Sequence, residues 1–274
     1  MKLRTQPMKK YRKALVYLIF TPIALYILAL VLVYFFQEEL LFHPLVADKN
    51  SLIELPKGVE EEYITMTDGV KLHGLLAHSK KAKGLVFYLH GNGGNAYSWA
   101  ESVFNAFPEG YDIFILDYRG YGRSEGSIKS EAQLMDDVTT SFDYISKKYN
   151  YTWLVVNGYS IGTGPATQLA AKRDVKALIL QAPYYSLTSL TKSKVPLLPD
   201  FIKKYRFETF NYIGNVKAPV YIFHGTDDAL IPFENSEKLQ KLSKNCVLIP
   251  LPGTGHNGIN ESPVFKEKAS EVLH

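Results

Sequence analysis

Hydrophobic and polar positions divide the chain into one long apolar stretch and a body of alternating short apolar runs and amphipathic segments. Residues 14–36 carry no formal charge. At about 1.5 Å per residue, a helix over them is long enough to cross a hydrocarbon core of about 30 Å. Pro22 is tolerable in such a helix, and Tyr11, Tyr17 and Tyr34 suit its two interfaces. A cleaved signal would have a shorter apolar run and a small-residue cleavage site. Here the run ends in Tyr34-Phe35-Phe36-Gln37-Glu38-Glu39, which offers none. The pattern therefore predicts an uncleaved transmembrane anchor.

Beyond residues 37–59, which read as a stalk packed on the body, strand-like and helix-like segments alternate. Residues 61–66 and 70–78 form a predicted hairpin around Asp68-Gly69. Short apolar strands are expected at 85–89, 112–116, 153–156, 175–180, 220–223 and 247–249. Helices are expected at 96–107, 130–149 with Ser130 as N-cap, 161–172, 233–242 and 264–273. Continuous apolar runs separated by helices indicate an α/β fold, with a mostly parallel central sheet of about eight strands covered on both faces. Chemistry in such sheets sits at the carboxyl ends of the strands.

Composition changes this picture little. With 274 residues, 46% hydrophobic and 21% charged, the chain has ample apolar surface for one folded domain. The net charge of +4 is more informative once located. Six basic residues (Lys2, Arg4, Lys9, Lys10, Arg12, Lys13) precede the apolar stretch, leaving a body of 25 basic and 27 acidic residues. A near-neutral body has no nucleic-acid footprint. The basic tail, with Glu38 and Glu39 beyond the span, predicts residues 1–13 in the cytosol and the body on the non-cytosolic side. Cys246, the lone cysteine, lies in an apolar run and reads as a buried structural residue. Its presence fixes no redox compartment.

The candidate chemistry follows the strands. After the strand at 153–156 comes Gly158-Tyr159-Ser160-Ile161-Gly162, a G-x-S-x-G between strand and helix. That context is the one a nucleophile elbow requires. A serine hydroxyl needs a base, and on such elbows the acid and then the histidine follow the serine along the chain. Of the later histidines, His274 is terminal and His224 is too early to have an acid before it at a strand end. His256 remains, in a loop after the last strand. The acid is sought after the strand at 220–223, where Asp227 and Asp228 compete. Their side chains point in different directions, and Asp228 is preferred. The turn His90-Gly91-Asn92-Gly93-Gly94 would supply one oxyanion donor, the backbone N–H of Asn92. The N–H of Ile161, next to the nucleophile, would supply the other. His90 reads as structural, and Asp117 to Ser124 as scaffold beside the pocket. No histidine pair has metal-ligand spacing, so neither metal nor cofactor is expected.

Five passages resemble the α/β-hydrolase superfamily. They are His90-Gly91-Asn92-Gly93-Gly94, Asp117-Tyr118-Arg119-Gly120-Tyr121-Gly122, the elbow, His224 through Pro232, and Gly255-His256-Asn257. Phe42-His43-Pro44 and Arg206-Phe207-Glu208-Thr209-Phe210 narrow the resemblance to membrane-anchored, single-domain hydrolases with a short cap, of the alpha/beta-hydrolase-domain-containing type. The resemblance covers residues 37–270. It implies the α/β-hydrolase fold over 37–274, with a cap at 183–216. Its H-G-x-x-D-x-x-[VI]-P pattern also places the acid on Asp228. The implied activity is hydrolysis of carboxylic esters or thioesters of acyl or lipid substrates. The alternatives are a peptidase using the same three residues and a catalytically idle scaffold. Apolar and basic residues alternate through the cap, which suits either an acyl site or a solvated helix.

Overall fold

The computed structural model describes residues 8–48 and 51–273. Most of the basic tail and His274 lie outside the described residues. A mixed sheet of eight strands forms the centre of the body. In chain order these are β1 (Val59–Thr65), β2 (Lys71–Ala77), β3 (Gly84–Leu89), β4 (Tyr111–Leu116), β5 (Leu154–Tyr159), β6 (Ala177–Gln181), β7 (Val220–Gly225) and β8 (Cys246–Leu251). Their order across the sheet is β8-β7-β6-β5-β3-β4-β2-β1. Only β2 pairs antiparallel, with β1 and β4; every other pairing is parallel.

The two-residue period of a strand explains the layering. On β3, Leu85, Phe87 and Leu89 enter one apolar layer, while Val86 and Tyr88 enter the other. The first layer is closed by α4 (Glu131–Lys148) and α5 (Thr163–Lys172), through Leu134, Val138, Phe142 and Leu169. The second is closed by α3 (Ala96–Phe104) and α9 (Pro263–Leu273), through Ala100, Val103, Phe265 and Leu273. Ser130 caps α4, accepting from the Gln133 N–H at 3.1 Å. Between β7 and β8 lies α8 (Glu234–Gln240).

At the N-terminus, α1 (Met8–Phe35) is long and apolar enough to cross a membrane, and its apolar window is unburied. The expected stalk is more structured than anticipated. It contains α2 (Gln37–Leu41), then His43 and Pro44 pair in parallel with Gly93 and Gly94. The expected cap region, for which a helix is one of two readings, holds two short helices whose bounds were not foreseen, α6 (Leu187–Lys194) and α7 (Thr209–Ile213). Gln37 ties stalk to cap: its Nε2 donates to the Ile202 carbonyl at 2.8 Å, and its Oε1 accepts from the Lys204 N–H at 2.9 Å. Cys246 departs from expectation. It begins the edge strand β8 and is only partly buried, because an edge strand has a neighbour on one side alone. That partial burial still pushes its thiol up to about 12.

Candidate active site

β5 ends at Tyr159, and the chain turns sharply into α5 through Ser160. Ser160 has φ of +52°, a left-handed conformation that costs an ordinary residue about 1 kcal/mol or more. The flanking glycines make the turn possible. A Cβ on Gly162 would lie 2.2 Å from the Leu89 carbonyl oxygen, and one on Gly158 would lie 2.6 Å from the Gly162 carbonyl oxygen. Side chains at either position would push the elbow off the sheet.

The loops after β7 and β8 meet beside this elbow for a similar steric reason. A Cβ on Gly225 would fall 2.1 Å from the Thr254 carbonyl oxygen. With glycine there, the loops bond directly: the Asp227 N–H donates to the Thr254 carbonyl at 3.0 Å, and the Gly253 N–H to Thr226 Oγ1 at 3.0 Å. Tyr159 fixes the second loop to the elbow strand by donating its hydroxyl to the His256 carbonyl at 2.7 Å.

These contacts bring Ser160, His256 and Asp228 together, from positions up to 96 residues apart. Nδ1 of His256 donates to Asp228 Oδ2 at 2.8 Å, which leaves the Nε2 lone pair facing Ser160 Oγ at 2.9 Å. Asp228 Oδ1 accepts from the N–H groups of Leu230 and Ile231, both at 2.8 Å. Asp227 stands apart: it is exposed and accepts from the Thr226 hydroxyl.

Burial alone would raise the Asp228 carboxyl. Hydrogen bonds from His224, His256 and the Ile231 amide outweigh it, holding the group well below the usual carboxylate range. His224 is thus a contributor that the sequence reading passed over. It is fully buried, donates from Nε2 to the Ile231 carbonyl at 2.9 Å, and lies 3.2 Å from Asp228 Oδ2. Its Nδ1 meets the Ser236 hydroxyl at 2.5 Å. The four-residue separation of His224 and Asp228 was the available signal, but nothing local shows that the turn folds back.

Asn92 and Ile161 border the same cleft as Ser160. A Cβ on Gly91 would sit 3.7 Å from Ser160 Cβ, so the turn after β3 lies directly beside Ser160. His90 governs that turn. Its Nδ1 donates to the Gly91 carbonyl at 2.7 Å, and a trans peptide directs the following N–H, that of Asn92, the opposite way. The Asn92 carbonyl accepts from the His43 N–H at 2.9 Å and the Tyr121 hydroxyl at 2.7 Å. His90 is buried against Tyr118 and Tyr121, and burial lowers its pKa, keeping the ring neutral.

The cleft is about 130 Å³ and mainly apolar, with Leu187 and Leu190 from the cap and Leu230 and Ile231 from the loop after β7. Leu40 and Leu41 of α2 form another wall, again unforeseen from the sequence. Typical enclosed sites for drug-sized ligands start at about 300 Å³. This one has room for a reacting carbonyl and a short length of chain.

A family model described as alpha/beta hydrolase fold matches residues 84–212. The chain is 32% identical over 224 residues to the protein YfhR of Salmonella typhimurium, covering 71% of this chain and 75% of that one. It is also 32% identical over 168 residues to alpha/beta hydrolase domain-containing protein 17B of Xenopus laevis, covering 59% of this chain and 56% of that one. Among solved structures, the Pyrococcus furiosus esterase Pf2001 superposes with a TM-score of 0.66 at 18% identity, covering 85% of this chain and 97% of that one. The last likeness is one of fold.

Proposed function

This chain belongs to the α/β-hydrolase family, and from that premise we propose that it is a serine hydrolase cleaving carboxylic esters or thioesters of acyl, lipid-like substrates. The observation that carries this reading is the unbroken relay from Ser160 Oγ through His256 to Asp228, at 2.9 and 2.8 Å. His256 Nε2 takes the Ser160 proton as Oγ attacks the carbonyl carbon. The N–H groups of Asn92 and Ile161 stabilise the resulting oxyanion. Collapse of the tetrahedral intermediate expels the alcohol or thiol, which takes the proton from His256, leaving an acyl enzyme. Water, deprotonated by the same imidazole, then releases the acid. Asp228 holds the ring in the required tautomer and stabilises the imidazolium while remaining ionised.

The leucine-lined cleft favours an acyl chain over a peptide, whose backbone amides would need polar partners there. α1 serves as a membrane anchor in this reading, with the N-terminus cytosolic and the hydrolase body on the opposite side.

Covalent labelling of the purified full-length chain by a fluorophosphonate tests the proposal. Labelling of the native chain and its loss in Ser160→Ala are expected. A native protein that neither labels nor hydrolyses any of a p-nitrophenyl ester and thioester series would refute it. Faster turnover of peptide amides than of esters would favour the peptidase alternative.

A further inference from the structure

The cap exposes several apolar side chains beside the anchor. Phe201 is 80% exposed, Leu197 77% and Val195 49%. Segments with such surfaces need a covering. One hydrogen bond indicates what covers this one: the Tyr26 hydroxyl of α1 donates to the Leu197 carbonyl at 2.6 Å. Tyr26 lies nine residues before Phe35, so it is about 14 Å up the helix from that end. A cap tip touching α1 there sits beside the interior of the apolar span, not at its mouth.

The boundary between apolar and polar surroundings is also marked. Lys204 Nζ lies 4.8 Å from the Tyr34 ring centre and pairs with Glu38 at 3.3 Å, as suits an interfacial belt. Between residues 195 and 202 the one charged side chain is Asp200, which Lys203 neutralises at 2.7 Å. The span itself is unburied, so α1 and the cap tip present a continuous apolar surface.

We propose that residues 195–201 are embedded in the bilayer leaflet that surrounds the second half of α1, and that the Ser160 cleft takes its acyl substrate sideways from that leaflet. The occupant of this surface is lipid. The embedding rests on α1 spanning a bilayer; the lateral entry rests also on the hydrolase reading above. The position of Leu40 and Leu41 supports lateral entry. They follow the anchor directly in the chain and wall the cleft, so a chain sliding along the anchor's base meets Ser160. The small volume of the cleft fits a substrate whose remaining chain stays in lipid.

The test uses the full chain in phosphatidylcholine nanodiscs, on a Cys246→Ser background, with an environment-sensitive NBD fluorophore on Leu197→Cys, Phe201→Cys or the control Val247→Cys. Val247 is 50% exposed on the far edge strand β8. Doxyl-labelled phosphatidylcholine should remove about half the emission at 197 and 201 and little at 247, with the reverse order for aqueous iodide, as embedding of an apolar face requires. Iodide quenching at 197 and 201 equal to that at 247 would overturn the embedding. Protection from both quenchers would also overturn it, since protein would then cover the surface. These readings need no catalysis and should be unchanged in Ser160→Ala.

For lateral entry, Leu197→Glu with Phe201→Glu should raise KM for a long-chain ester held in vesicles about tenfold, given the cost of charge in hydrocarbon. kcat/KM for soluble p-nitrophenyl acetate should not change. An equal loss on both substrates would refute lateral entry. Lipid quenching without hydrolysis of either ester would remove the hydrolase reading, and lateral entry with it, while leaving the embedding in place.

Discussion

His256 and His73 each meet an aspartate through Nδ1, at 2.8 Å from Asp228 and 2.6 Å from Asp117. Their other nitrogens face different surroundings. Nε2 of His256 looks out at a serine hydroxyl on a strained turn, and its ring is 15% exposed at the cleft. Nε2 of His73, with side chain and aspartate both fully buried, meets the Tyr97 hydroxyl at 3.2 Å. That hydroxyl already donates to Glu61, and burial together with Glu61 drives its pKa far up, so it stays protonated. Asp117 is also committed, accepting the Ala96 N–H of α3 at 2.7 Å. The second pair thus clamps β2, the end of β4 and the start of α3. A histidine beside an aspartate is common to a fastening and to a proton relay. What separates the proposed relay from the fastening is an accessible second nitrogen facing a serine hydroxyl on a strained turn.

Substitutions can break this contrast. Ser160→Ala should show the largest effect, a loss of about 10⁴-fold or more in kcat for p-nitrophenyl butyrate with folding retained by circular dichroism. His73→Gln should keep kcat within a few-fold of the parent in the folded fraction. If it were as inactive as Ser160→Ala while folded, the two pairs would not differ as argued.

Asp228→Asn comes next, with kcat falling about 10⁴-fold through loss of the correct tautomer. Asp227→Asn, altering an exposed side chain, should change it less than about threefold, in keeping with surface substitutions. An equal fall in both would mean that the loop rearranges around Asp227 during turnover.

Asp117→Asn sharpens the comparison from the other side. It should destabilise by about 1–3 kcal/mol, because buried donors lose a charged acceptor. Thermal unfolding should therefore begin several degrees lower, with kcat of the folded enzyme little changed. A collapse of kcat at unchanged thermal stability would mean that Asp117 acts through the Asn92 turn instead.

The smallest effect concerns pH. The Asp228 carboxyl is depressed in the fold, so its stabilising contribution is complete above the unfolded value of about 4 and declines as pH falls below it. The stability gap between the parent and Asp228→Asn should thus be widest near pH 7 and narrow at pH 3, read by thermal melts across that range. A gap that widened in acid would reverse the sign assigned here.

Much of the fold was legible because it rests on neighbours in sequence. Leu85, Phe87 and Leu89 alternate with Val86 and Tyr88, so β3 had to carry two apolar faces. The elbow was legible because Gly158 and Gly162 flank Ser160 within one turn. The bounds of the two cap helices were not: α6 and α7 are short, and their ends depend on contacts such as the Leu187 N–H to Arg206 carbonyl bond at 2.9 Å.

By itself, the chain's order of residues determined the apolar span, the layered alternation of strands and helices, and which serine, histidine and aspartate pair were candidates. All of these depend on periodicity and on steric limits within a few residues. Asp228, already preferred over Asp227 in the sequence, is the one that meets His256. Tertiary structure alone decided that His224 braces it from behind and that Leu40 and Leu41 wall the cleft. Those outcomes depend on where loops land after the sheet has closed. Gly225 admitting the Thr254 backbone, or Gln37 reaching the carbonyl of Ile202, is a meeting that no local pattern encodes.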